Sequence, residues 1–186
     1  MNGGKAVPII DIQIGGVAAS AESAVMRTVL GSCVSVCLYD PVTRIGGLNH
    51  FLLPGDGSEL DRATRFGVHA MELLINAIMG LGGERRRLSA KVFGGANVLS
   101  GLASPTVGDL NIAFALNFLE TERISILAKR LGGTDPLQLR YHTDTAQVWV
   151  RPLRSRCIAA EEARFRSLLL GRLKKTTEDD VTLFQD

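Results

Sequence analysis

Cys33 and His50 are the pair in this chain whose residue types and spacing suit covalent chemistry. Both lie in the segment TVLGSCVSVCLYDPVTRIGGLNH, Thr28 to His50, where Cys33 opens one apolar run and His50 closes the next. Between the runs stands Asp40-Pro41-Val42-Thr43. It is a strong turn signal, because proline presets φ and the aspartate carboxylate accepts from the backbone that follows. Two β-rich runs joined by that turn bring the thiol and the imidazole back toward each other. A thiol within reach of an imidazole can act as a nucleophile whose proton is held and later returned.

The immediate neighbours fit that chemistry. Gly31-Ser32 just before Cys33 leaves room for a substrate, and a turn there can aim backbone N–H groups of residues 32 to 34, Val34 included, at a developing oxyanion. Ser32 and Asn49 are candidates to hold a substrate amide. His69, expected in a helix, and His142, at a strand end, compete as the base, but no short turn ties either to Cys33. Cys37 and Cys157 read as small buried hydrophobes, with Cys37 on the same side of its strand as Cys33. Zinc held by Cys33, Cys37 and a histidine would need a second ligand pair that the sequence lacks, so no metal is expected. The Gly-Gly pairs match neither P-loop nor dinucleotide spacing.

The elements that must position these residues follow from periodicity. Residues 10–14 alternate with period two and end at Gly15-Gly16, which predicts a strand. Residues 34–39 and 45–53 form the β-rich pair, and 56–59 a polar loop. Apolar residues at helical spacing predict a helix over 65–81, closed by glycines. A short strand over 90–93 runs into Gly94-Gly95. A second helix, capped by Asp109 or Asn111, carries Ile112, Leu116 and Leu119 on one face. Strands are expected over 124–128, 137–142 and 146–150. An amphipathic helix over 158–174 follows, with Glu161 and Glu162 early and basic residues late, as the helix dipole prefers. Together these predict an α/β or α+β layer fold.

Composition sets the outer bounds. With 186 residues, 46% of them hydrophobic, the chain can bury a real core, and no linker or repeat divides it. Residues 1–175 are expected to form one domain, and 176–186 an acidic tail suited to flexibility or docking. A net charge of +2 and 5% aromatic residues argue against a nucleic-acid partner. Arg85-Arg86-Arg87 reads as a solvated helix terminus rather than a phosphate site. The apolar stretches are too short to span a membrane. Three cysteines and an N-terminus without a secretory pattern point to the cytoplasm.

The wording around the pair resembles the chemoreceptor glutamine deamidase family, CheD. The resemblance rests on Leu30-Gly31-Ser32-Cys33-Val34, Val36, Leu38 and Asp40-Pro41, then on Gly46-Gly47-Leu48-Asn49-His50 and Leu53-Pro54. It continues in residues 70–74, in Ala90-Lys91-Val92-Phe93-Gly94-Gly95-Ala96-Asn97 and in Leu131-Gly132-Gly133, so that it covers roughly residues 7 to 153. It implies a β-sandwich-like core with flanking helices, and hydrolysis of glutamine side chains in methyl-accepting chemoreceptors to glutamate and ammonia. No cofactor is implied. By the family's motif Cys33 is the nucleophile, His50 the base and Thr28 the threonine that orients it. The resemblance also implies a CheC-type phosphatase as partner, and hence an alternative role as a weakly catalytic binding module. Ala128-Lys129-Arg130, Leu137-Gln138-Leu139 and Thr145-Ala146 depart from the family's pattern, in stretches that bear on partner or substrate contacts.

Overall fold

The computed structural model describes residues 6–53, 60–97, 105–153 and 157–179, with the backbone alone at 60–63, 157, 159, 170 and 172–179. A four-stranded sheet has the order β1 (Ile9–Asp11), β3 (Val25–Leu30), β8 (Leu137–His142), β9 (Val148–Pro152). A five-stranded sheet has the order β2 (Val17–Ser20), β5 (Ile45–Asn49), β4 (Val34–Asp40), β6 (Ser89–Gly94), β7 (Ser125–Leu131). Pairing is antiparallel except for β1 with β3 and β6 with β7. Helices α1 (Leu60–Gly80), α2 (Val107–Thr121) and α3 (Cys157–Asp179) complete the single domain, as the α+β layer reading requires.

The five-stranded sheet is the middle layer. Val34, Val36 and Leu38 on one face of β4 pack with Met71, Leu74, Ile75 and Ile78 of α1 and with Ala115 and Leu119 of α2. Cys33 before the strand and Cys37 within it join Met26, Leu30, Leu139 and Tyr141 of the other sheet. A strand covered on both faces has no need of polar alternation, which is why VSVCLY reads as one apolar run. Strand β3 alternates instead, with Met26, Thr28 and Leu30 turned inward.

Several expected boundaries move. The first strand stops at Asp11 because the chain turns at Gly15 (φ 81°) to begin β2. Strands β2 and β3 had no clear signal of their own. Helix α1 starts earlier, at Leu60. The cap of α2 is Thr106, which closes a capping box with Asp109, so Asp109 is the partner in the box and Asn111 lies buried inside the helix. Ala146 falls in a turn (φ 54°) and β9 begins at Val148. Helix α3 runs on to Asp179, through the start of the acidic tail, and 180–186 lie outside the described residues, as does the loop over 56–59. The arginine triplet forms a 3₁₀ turn rather than a solvated helix end. Arg85 bridges Glu72 and Glu122, Arg86 meets Glu84, and Arg87 meets Asp40 and Glu84, so its charges are matched by carboxylates.

Candidate active site

The hairpin β4–β5 sets the first two groups. Its turn forms as expected, with Asp40 Oδ1 accepting from the Val42 N–H at 2.9 Å. Beyond β5 the pairing resumes at Val34 and Phe51, which exchange N–H···O bonds of 3.0 and 2.9 Å. Cys33 and His50 each precede one member of that pair. In an antiparallel ladder this makes them diagonal neighbours on one face, within reach of an imidazole. The face is the one turned toward the four-stranded sheet, and both residues are buried.

Thr28 comes to them from that second sheet. Its hydroxyl donates to the Ile12 carbonyl at 2.8 Å and lies 2.7 Å from His50 Nδ1. A hydroxyl has one hydrogen. With that hydrogen on Ile12, the contact to His50 takes the ring's Nδ1–H, and Nε2 is left with its lone pair. Nε2 is buried without a hydrogen-bond partner. Burial lowers the His50 pKa to about 4, against the opposing pull of the Ile12 carbonyl and a nearby carboxylate, Glu162. At neutral pH the ring is therefore an unprotonated base.

The loop between β3 and β4 supplies a cradle of N–H groups. Its carbonyls are drawn to one side: Cys33 O accepts from Gly95 N and Gly31 O from Ala96 N, each at 2.7 Å, and Ser32 O accepts from Asn111 Nδ2 at 3.1 Å. Gly94 must be glycine, because it sits at φ 111° and a Cβ there would collide with the Cys33 carbonyl. With the carbonyls so held, the N–H groups face the opposite way. Those of Gly31, Ser32 and Cys33 all donate to the carboxylate of Glu162 in α3, at 3.0, 2.9 and 3.1 Å, and the Ser32 hydroxyl adds a fourth bond of 2.7 Å. Burial opposes the charge on Glu162, but these donors and the Cys33 thiol outweigh it and hold its pKa below the usual carboxylate range. Burial pushes the Cys33 thiol up, and the Glu162 charge raises it further. A cleft of about 300 Å³ lined by Ile12, Thr28, His50, Gln138 and Glu161 opens beside the histidine.

Two expected participants lie elsewhere. The Val34 N–H is spent on Phe51 O, so the cradle is 31–33 rather than 32–34. Asn49 faces away: its Oδ1 accepts from Val36 N at 2.9 Å and its Nδ2 reaches Ala70 O on α1, which makes it a hairpin clamp. Thr28 meets His50 directly, and Cys33, with Ser32 beside it, lies diagonal to His50 across the ladder. His69 is exposed on α1, and Cys37 is a buried apolar contact whose thiol is pushed far up by desolvation. Sequence reasoning missed Gly94-Gly95-Ala96, Asn111 and Glu162 as builders of the site. The first two had a signal in the motif FGGAN and in a polar residue amid apolar helix positions. Glu162 had none beyond its place near a helix start.

The comparisons with known proteins place the chain in a family. Residues 52–152 match the family model described as CheD chemotactic sensory transduction. The chain belongs to the CheD family. The match begins just past His50, so Cys33, His50 and Thr28 precede it. A Burkholderia mallei protein named probable chemoreceptor glutamine deamidase CheD is 47% identical over 148 residues, covering 76% of this chain and 63% of that one. A Burkholderia thailandensis protein named probable chemoreceptor glutamine deamidase CheD 1 is 46% identical over 155 residues, covering 81% and 65%. The chain thus spans a little under two thirds of the length of these curated relatives. Among solved structures, the Neisseria meningitidis protein NMB0706 aligns with a TM-score of 0.39 and 12% identity over 69% of this chain and 63% of that one. Among the described residues, no helix is long and apolar enough to cross a membrane.

Proposed function

We propose that this chain is a cysteine-dependent amidohydrolase that converts glutamine side chains of chemoreceptors to glutamate, with Cys33 as nucleophile, His50 as base and Thr28 as the group that orients His50. The observation that carries this reading is the N–H cradle of Gly31, Ser32 and Cys33, already wrapped around a carboxylate beside the thiol. A tetrahedral intermediate at a carboxamide needs donors in such a place. His50 Nε2 takes the thiol proton as Sγ attacks the carboxamide carbon, and the oxyanion rests in the cradle. The C–N bond then breaks as Nε2 gives that proton to the leaving ammonia. Water, deprotonated by Nε2, hydrolyses the thioester and returns the free thiol. The names of the relatives support the substrate class.

The reading is tested by incubating the protein with cytoplasmic receptor fragments and following peptide masses. We expect a gain of about 1 Da at particular glutamines with the parent chain and none with Cys33→Ala, which removes only the thiol. Equal conversion by Cys33→Ala would remove the nucleophile assignment. A second reading, a binding module working with a CheC-type phosphatase, draws support from the occupied cradle, which suits low turnover in isolation. A change in the phosphatase's own rate on adding this chain, with no mass gain in receptor fragments, would favour it.

A further inference from the structure

Helix α3 is the element that the reaction does not use, and its position is specific. Glu162 is 5% exposed, although most of the other α3 side chains among the described residues are exposed or half-buried. Its carboxylate takes all three cradle N–H groups and the Ser32 hydroxyl. Room for it is kept at Gly31, where a Cβ would come within 2.9 Å of both carboxylate oxygens. Three apolar residues on the same face of α3 flank it. Leu169 is buried, Phe165 packs at Gly15, and Ile158 lines the cleft beside His50. A glutamate side chain is what deamidation of a glutamine leaves behind.

We propose that α3 occupies the substrate seat in cis, with Glu162 bound as a reaction product would be, and that the seat takes a helix whose glutamine has apolar residues four before and three and seven after it. This rests on the deamidase reading for the identity of the reaction, but the occupancy itself does not. A substrate helix must then displace α3 before Cys33 can react. The raised thiol pKa in the seated state is in keeping with a resting enzyme.

Two measurements on the full chain test it. The first is alkylation of Cys33 by iodoacetamide. Removing the plug with Glu162→Ala should speed the reaction about tenfold or more, while Arg164→Ala on the exposed side of α3 should leave the parent rate. Thermal unfolding of each variant confirms that it is folded. The second is Glu162→Gln, which presents a carboxamide to the cradle. Sγ should form a thioester with that side chain as ammonia leaves with a proton from His50. Water should then complete the conversion to glutamate, a gain of about 1 Da in the α3 peptide. The same change should be absent when Cys33→Ala is added.

Unchanged alkylation in Glu162→Ala would overturn the occupancy. So would a carboxamide that persists at position 162 of Glu162→Gln while the same chain deamidates added receptor fragments, since the seat would then not be the reacting one. Faster alkylation in Glu162→Ala, with neither the introduced carboxamide nor receptor fragments converted, would support the occupancy while removing the deamidase reading.

Discussion

Thr28 does two things with one hydroxyl. It satisfies the Ile12 carbonyl and it fixes the tautomer of His50. Thr28→Val keeps the β-branched shape that suits β3 but deletes both bonds. Turnover of receptor fragments should fall roughly ten- to a hundredfold, equivalent to about 1–3 kcal/mol of transition-state stabilisation. Thr28→Ser should recover most of it, since the hydroxyl returns. A Thr28→Val chain that turns over at the parent rate would make the 2.7 Å contact incidental. At this scale the sequence was informative where chemistry is written in residue type. A cysteine after Gly-Ser and a histidine after a turn are visible at a glance. Asn49 was not, because a polar residue next to a candidate base looks the same whether it faces a substrate or clamps the hairpin behind it.

The hairpin β4–β5 was legible because its instructions are local, and the turn that makes it also carries an ion pair that sequence did not reveal. Asp40 is fully buried and accepts from Arg87, whose guanidinium, with the Glu84 N–H, overcomes the cost of burial and holds the carboxyl far below its ordinary range. Arg87→Met keeps the packing of the stem and strands the charge. Stability at pH 7, read from urea unfolding, should drop by about 2–4 kcal/mol, less than for a fully dry pair because Arg87 is 22% exposed. A lowered carboxylate pKa contributes stability above its unfolded value and loses it in acid. The deficit of Arg87→Met should therefore narrow below about pH 4. A deficit that stays constant down to pH 3 would assign the loss to packing instead. The cradle was legible only in part: a turn presenting N–H groups before Cys33 was expected, one residue further along, but what holds it was not. It depends on β6, α2 and α3 closing around one loop, and no periodicity in residues 28–33 reports what will lie opposite.

For the molecule as a whole, His50 is a buried neutral base and so a liability in acid. Its folded pKa of about 4 lies below the ordinary 6.5, so the unfolded chain binds the proton first as pH falls. Stability should decline from about pH 6.5 down to pH 4, by about 3 kcal/mol in total for this one group. Melting temperatures across that window should slope less steeply in His50→Gln than in the parent. Parallel slopes would mean that the ring takes up a proton in the folded state without resistance.

The separation of the site's parts along the chain also bears on how it comes into being. Cys33 and His50 flank one hairpin, a contact local in sequence, so that little entropy is lost in closing so short a loop. Thr28 is held inward by β8, more than a hundred residues further on, and Glu162 stands 131 residues beyond Gly31. A ribosome delivers these pieces in that order. The thiol and the imidazole are neighbours first, the ring is aligned only when the second sheet closes, and the carboxylate arrives last of all.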